Sequence, residues 1–535
     1  MSTPADEYTD KASRAIRRFL IGRPPDLSQD GQFGPHNMVV SLLAAEFING
    51  HEQLLKAWDG VRQIDAELTA AVEGRLVRTT DPTQLQCTDL GNAERLVLRY
   101  GADVRYCYPW RAWLIWDGAR WRKDERGEIY QRAKMTVQGL YAEASDAPTQ
   151  ARREELGKWA LRSEAEARIK AMVALAESES GVPVVPAELD TDRWRLTVLN
   201  GTINLHTGQL GPHRREDLIT KLAPVMYDRQ ARSDLWDGFL ARVLPNPDLR
   251  AFVQRATGYS CTGDTREETL FFPHGPTATG KSTFLSAIVA TLGEYAATAD
   301  FETFLRRERL VGSPRNDIAR LAGQRFVVSL EVDDGKHLAE ALIKQLTGGD
   351  VVAARFLHKE SFEFVPELKL WLAANDRPLV RDDDDALWRR ILQIPFTAQI
   401  PKAEQDPTVK ARLRTPDETG AAILAWMIEG CLAWQRQGLE VPEVVRDTTA
   451  AYREEMDPIG EFLTECCLQE STARVRKTAL WAAYQDWAKP GVGRRLGRNK
   501  FNERLRQRGC DEWSDGNTRF WLGVGLCTES QESKR

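Results

Sequence analysis

The sequence predicts an α/β fold built around a phosphate-binding loop, with a helical and mixed region before it and a basic winged helix after it. Three observations carry this expectation. The apolar run "TLFF" leads through Gly275, Pro276, Thr277, Ala278, Thr279, Gly280, Lys281 and Ser282 into the helical pattern "KSTFLSAIVATL", where Thr283 is an early residue. Two more apolar strand patterns, Phe326 to Leu330 and "LKLWLAAND", carry polar residues to their C-terminal ends. Near the C-terminus, two basic helical segments precede a hairpin pattern. We divide the chain accordingly into a helical region over 1–85, a mixed domain over 86–225, the loop-bearing core over 226–440 and the winged helix over 441–535.

Composition narrows the class. The 535 residues are 42% apolar and 28% charged, as in soluble globular protein, and suffice for about three or four domains. No apolar stretch reaches the roughly 20 residues of a membrane span, so no membrane partner is expected. The polar opening "MSTPADEYTDKASRAIRRFL" predicts no secretory signal. Eight cysteines without a C-x-x-C pair point to a reducing cytoplasm rather than to a disulfide framework. The seven histidines form no ligand cluster, so no zinc is expected. A net charge of −5 argues against wholesale coating of nucleic acid, though a local basic channel remains compatible with it.

The loop fits G-x-x-x-x-G-K-[ST] at every fixed position. Glycines let the backbone curl so that several N–H groups face one phosphate chain. The helix that follows offers its positive end to the same phosphates. Lys281 is then placed to reach the β- and γ-phosphates, and the Ser282 hydroxyl to sit on Mg²⁺. ATP with Mg²⁺ is the expected ligand pair. Glu331, Asp333 and Asp334 follow the second strand, where carboxylates hold a Mg²⁺ shell and polarise water. Asp333 is the metal candidate, and which of the three acids is catalytic stays open.

Asn375, at the tip of the third strand, suits a residue that orients water or senses the γ-phosphate; taken alone, an Asn there is usually a turn. Arg389 and Arg390 suit an arginine finger reaching a neighbouring subunit's nucleotide, or an ordinary surface pair. The "DDDD" run at 382–385 reads as a solvated loop, with a second metal site as the lesser alternative.

Two regions suit nucleic acid. "ARFLHKESFEFVP" alternates about a polar tip, as a β-hairpin does. Residues 471–510 hold eleven basic and two acidic side chains, a net +9 that leaves −14 for the rest. There "VRKTALWAAYQDWA" and "GRNKFNERLRQRG" read as helices and "EWSDGNTRFWLGVGL" as a hairpin. That order suggests a winged helix reading DNA with its second helix, through Arg498, Lys500 and Arg504; a basic solvated tail is the bland alternative. Further upstream, 143–180 reads as a charged helical stretch, and "NMVVSLLAAEFI" and "HEQLLKAWDGV" as amphipathic helices.

With these elements in order, about 236–396 resembles the superfamily 3 helicases of phages, plasmids and DNA viruses, which are AAA+ ATPases. The compact spacing of loop, acids, Asn375 and Arg390 carries that resemblance. "EALIKQLTGGDVVAARFLHKESFEFVPELKLWLAAND" is similar to the phage and plasmid replication branch, related to poxvirus helicase-primases. "CTDLGNAERLVLRYGADVRY", "WLIWDGARW" and "LNGTINLHTGQL" resemble the domain preceding the helicase in that branch, so the likeness spans roughly 86–525. One departure is that the branch usually has Glu where Asp333 and Asp334 stand.

The resemblance implies a hairpin gripping single-stranded DNA in a ring channel, with His358 and Lys359 on phosphate and Lys344 and Arg355 as weaker candidates. It also implies a homo-oligomeric ring, a hexamer, moving 3′→5′ and acting on single-stranded and forked DNA in a bacterial cytoplasm. An origin-melting initiator or loader, and a nucleotide-driven assembly switch that moves no DNA, are the alternatives. Relatives often carry a primase. Residues 1–85 offer too little chain and no Asp-x-Asp on an apolar strand, so primer synthesis is not expected and a primase would be a separate partner.

Overall fold

The computed structural model describes residues 81–306, 315–330, 336–356, 361–380, 385–488 and 496–527. Both amphipathic patterns expected before residue 80, and the "DDDD" run except Asp385, lie outside them. The described residues form two compact units, 81–115 with 123–185, and 116–122 with 186–527.

The first unit is mainly helical. Helices α1 (Asp89–Tyr100), α2 (Glu128–Asp146), α3 (Gln150–Ser163) and α4 (Glu166–Ala176) accompany a hairpin of β1 (Val104–Cys107) and β2 (Ala112–Trp116). A short strand β3 (Pro183–Val184) runs parallel to β1. The charged stretch at 143–180 thus resolves into the end of α2 and two further helices. Leu96, Val104, Ile115, Val137 and Met172 are among its core residues. Asp124 starts α2 by accepting from the amides of Glu128 at 2.8 Å and Ile129 at 2.9 Å, as an acid does at a helix's positive end.

The second unit opens with an antiparallel meander, β4 (Arg195–Val198), β5 (Gly201–Asn204) and β6 (Gln209–Gly211). The expected boundary at 225/226 therefore moves back to about 185. Leu196, Val198, Ile203 and Val225 share one apolar core with the loop-bearing helix, so the meander cannot be parted from it. Helices α5 (Asp234–Val243) and α6 (Pro247–Ser260) follow.

Five parallel strands then form the central sheet. They are β7 (Leu270–His274), β8 (Ala296–Thr298), β9 (Phe326–Leu330), β10 (Lys369–Ala373) and β11 (Ile391–Pro395), in the order β11-β7-β10-β9-β8. Strands buried on both faces read as near-continuous apolar runs, as all but the partly exposed edge strand β8 do. Alternate residues serve opposite faces. Phe271, Phe326, Val328, Trp371 and Ile394 join the core containing Phe284 and Ile288 of α7 (Lys281–Leu292). Leu270, Phe272, Val327, Leu370 and Ile391 join the other core, with Ile343 and Leu346 of α8 (Glu340–Thr347).

The β-hairpin between these strands pairs Val352–Arg355 with Ser361–Phe364, and its buried and exposed residues alternate as expected. Helix α9 (Ala421–Gln437) packs in the first core, while α10 (Glu443–Glu455) lies along β11. The Thr449 hydroxyl of α10 accepts from the Gln393 amide at 3.0 Å, and Tyr452 is buried beneath the sheet. The expected boundary at 440/441 consequently moves to about 456/457, because α10 belongs to the sheet.

The C-terminal module runs α11 (Pro458–Cys466), strand Arg474–Arg476, α12 (Lys477–Trp487), α13 (Arg498–Gln507) and strands Asp511–Ser514 and Arg519–Leu522. These three strands make one antiparallel sheet with Arg519–Leu522 in the middle. The module has its own core, including Phe462, Leu480, Tyr484, Phe501 and Trp521.

Candidate functional site

The site begins where β7 ends. Gly275 has φ +153°, and a Cβ there would meet the Phe396 carbonyl oxygen at 2.0 Å. Gly280 has φ +85°, and its Cβ would lie 2.5 Å from Cγ1 of Val243 on α5. Both positions need glycine, so the motif's spacing is the spacing of two close approaches. Ala278 between them is also left-handed, at φ +61°. A non-glycine residue pays roughly 1 kcal/mol or more for that, and such strain collects at ligand sites. The Ala278 carbonyl is held by the Ile400 amide at 2.9 Å.

Lys281 opens α7 and is only 8% exposed. Its Nζ donates to the carbonyls of Gly275 (2.6 Å) and Pro276 (2.8 Å), to Thr279 Oγ1 (3.3 Å) and to Asn375 Oδ1 (3.0 Å). Burial lowers its pKa from the ordinary lysine value. Asn375 lies just past β10, the neighbour of β7. Two adjacent parallel strands thus deliver the lysine and the amide to one point, at the carboxyl edge where α/β sheets bind ligands.

This edge opens into a cleft of about 840 Å³ lined by residues 277–283 and Asn375. Leu330, the last residue of β9, also lines it. Glu331, Asp333 and Asp334 follow directly but lie outside the described residues. Leu235 and Phe239 of α5 with Ile400 and Val409 belong to a further wall, which also carries Arg242, Lys402, Glu404, Asp406 and Lys410. Sequence reading missed this wall, since α5 and the 400–410 segment are far apart in the chain and carry no motif.

It also missed His274, whose Nδ1 lies 3.1 Å from Gln393 Nε2. Burial lowers its pKa, and Arg377 and Lys281 push the same way. Arg377 in turn pairs with Glu455 of α10.

The two arginines part ways. Arg390 is 7% exposed and donates to Glu268 (2.6 Å) and to the Ala386 carbonyl (2.6 Å). The Arg389 side chain is 67% exposed, with Nη2 3.6 Å from the same carboxylate. Ile391 is in register with Leu270 and Pro395 with His274, so both arginines sit at the amino edge of the sheet. Five strand residues, about 16 Å, separate them from the loop of their own chain. A role at this chain's own cleft is therefore out of reach, and of the two only Arg389 is exposed at the surface.

Among the nucleic-acid candidates, His358 and Lys359 lie outside the described residues. Arg355 is exposed in the last described hairpin pair, opposite Ser361, and Lys344 is half-buried on α8. Arg498 and Lys500 are exposed at the start of α13, whereas Arg504 is half-buried, with burial lowering its pKa. Arg506 pairs with Glu512 at 2.6 Å and Arg508 with Asp457, so the end of α13 is tied inward while its start is exposed. No helix among the described residues is long and apolar enough to cross a membrane. No cluster of possible metal ligands occurs among them either.

The parallel sheet and the glycine-cradled lysine at its carboxyl edge define the class, a mixed α/β protein with a cleft at the end of its sheet. Comparison with known proteins narrows this. Residues 93–245 match the family described as D5 N terminal like, and 454–531 match the Poxvirus D5 protein-like family. Residues 274–390 match a family of unknown function, DUF5906.

A helicase-named protein of Acanthamoeba polyphaga mimivirus is 22% identical over 322 residues, 56% of this chain and 33% of that protein. A helicase-named protein of Frog virus 3 (isolate Goorha) is 26% identical over 264 residues, 46% of this chain and 27% of that protein. The chain spans about a third of the length of these curated relatives. The apo structure of the NrS-1 C-terminal region has a TM-score of 0.49 and 10% identity, covering 82% of this chain and 99% of that one. The D5 matches on either side of the cleft, with the helicase-named viral relatives, bear out the resemblance read from the motifs. The similarity is thus to D5-type helicase-primases, through the two D5 matches and the helicase-named viral relatives.

Proposed function

We propose that this chain is the motor of a replicative DNA helicase: it hydrolyses ATP in the cleft and, as a homo-oligomeric ring, advances on single-stranded DNA. The observation that carries this reading is the meeting of Lys281, the Gly275–Gly280 cradle and Asn375 at the carboxyl edge of a five-stranded parallel sheet. The cleft's volume is that of a small-molecule site. The apolar side chains Leu235, Phe239, Ile400 and Val409 in its lining could cover a planar base, and its loop suits the phosphates.

The residues fit a Mg²⁺–nucleotide complex: the Ser282 hydroxyl lines the cleft at the start of α7, and the three acids follow the strand whose last residue lines it. When bound, the metal neutralises charge on the β- and γ-phosphate oxygens. Lys281 exchanges its loop carbonyls for those phosphates and stabilises charge as it develops. Asn375, released from Lys281, orients the attacking water. Arg389 reaches the nucleotide of the adjacent subunit.

The exposed start of α13 contacts duplex DNA through Arg498 and Lys500, in the manner of a winged helix, and the 352–364 hairpin follows the single strand. Phage, prophage or plasmid replication in a bacterial cell is the setting the motifs suggest, while the named relatives belong to viruses of eukaryotes. ATP turnover with and without single-stranded DNA tests the motor reading: stimulation by DNA that disappears in Lys281→Ala supports it. Turnover indifferent to DNA would favour an assembly switch instead.

A further inference from the structure

The hairpin of β1 and β2 in the first unit carries exposed aromatic rings and cations at its tip. Residues 108–111 form its loop, because Cys107 pairs with Ala112. The Arg111 amide donates to the Tyr108 carbonyl at 3.0 Å, closing a four-residue turn with Pro109 at its second position, where its fixed φ belongs. Arg111 takes the left-handed conformation that ends such a loop, at φ +50°.

Aromatic rings climb one face of this hairpin out of the core. Trp113 is buried with Val104 and Ile115. Tyr106, its cross-strand partner, packs on it with ring centroids 5.2 Å apart. Tyr108 meets Tyr106 edge-on at 4.8 Å and is 48% exposed. At the tip Trp110 is 36% exposed, and Lys123 Nζ lies 4.5 Å from its ring centre. Two large rings held in solvent on a pinned turn are costly unless something covers them.

The surrounding charge says what the cover is. Arg111 and Lys123 are exposed, and neither makes an ion pair among the described residues. Asp124 is engaged by the first amides of α2, and Glu177 lies beside Tyr106, whose hydroxyl pKa is raised by burial and by that carboxylate. The tip thus offers ring faces and unpaired cations together. A second copy docking the same patch symmetrically would bring like charges face to face. A duplex hides its base faces, whereas an unpaired strand exposes both bases and phosphates.

We propose that this tip is a stacking platform for single-stranded nucleic acid, with bases on Tyr108 and Trp110 and phosphates on Arg111 and Lys123. This rests on the reading that the protein acts on DNA, but it concerns a surface in the other unit from the cleft.

The test is photocrosslinking of the full chain to an oligothymidylate carrying 5-iodouracil, with the attachment sites mapped by mass spectrometry. Crosslinks at Tyr108 or Trp110 are expected. The paired change Tyr108→Ala with Trp110→Ala should weaken oligonucleotide affinity about 5- to 100-fold. Tyr108→Phe with Trp110→Phe should restore it, and basal ATP turnover should not change. Removing Arg111 and Lys123 should flatten the salt dependence by about 0.7 per cation.

Crosslinks confined to other segments, with affinity unchanged in the alanine pair, would overturn the platform while leaving the motor reading intact. A shift in oligomeric state with DNA affinity untouched would overturn it in favour of a contact between copies. Absence of any DNA binding by the wild-type chain would overturn both readings.

Discussion

Lys281 is a buried ammonium whose neighbours are almost all acceptors: two loop carbonyls, a hydroxyl and the Asn375 amide oxygen. Replacing it with Ala removes the four hydrogen bonds made from the start of α7, but also removes the cost of burying the ammonium that its lowered pKa reports. ATP turnover should therefore fall 10²-fold or more while the melting temperature stays near wild type; turnover above about a tenth of wild type would argue against this site. Its pH behaviour follows from burial. The ammonium form binds phosphate, and burial holds the pKa below 10.5. Nucleotide affinity should be full below that depressed pKa and decline as pH rises through it, earlier than for an exposed lysine. Equilibrium binding of a non-hydrolysable analogue across alkaline pH checks this.

The neighbouring arginines should separate cleanly. Arg389→Ala should leave stability unchanged and abolish turnover, with partial recovery when mixed with Lys281→Ala subunits. Arg390→Ala should lower stability by roughly 1–3 kcal/mol, since it loses two short hydrogen bonds from a buried position. Recovery with Arg390→Ala but not with Arg389→Ala would reverse the assignment. The sequence named both residues, but nothing in "WRRI" tells which one turns toward Glu268. That choice depends on a carboxylate more than a hundred residues away.

At the scale of elements, the legible parts were those with local signals. The loop-bearing helix, Lys281–Leu292, and strand Phe326–Leu330 appear with the expected bounds, because an apolar run between polar ends is a local property. Boundaries were less legible. "GLEVPEVV" resembles a linker, yet Thr448, Thr449 and Tyr452 of the following helix bond or pack against the sheet. Val475 and Arg476, which begin the helical pattern "VRKTALWAAYQDWA", are instead extended and pair with the strand Arg519–Leu522.

The module after that helix has its own core. Deleting residues 457–535 should weaken duplex binding and preserve ATP turnover. Unchanged duplex affinity at low and moderate salt would count against a DNA-reading role, because phosphate contacts must show a salt slope. In the other nucleic-acid element, Lys359→Ala should keep basal turnover and lose its stimulation by DNA. Equal loss of basal turnover would mark the hairpin as structural.

In the molecule as a whole, the proposed ATP cleft and the proposed DNA contacts lie on separate elements, and the proposed arginine finger acts between subunits. Isolated protomers should turn over ATP slowly, and assembly and turnover should rise together with protein concentration. The most direct measurement is strand separation of a forked DNA duplex by the purified protein with ATP. The account predicts ATP-dependent unwinding that Lys281→Ala abolishes and Lys359→Ala sharply reduces. Robust DNA-stimulated ATP hydrolysis without any strand release, on forks with either single-stranded tail, would contradict it.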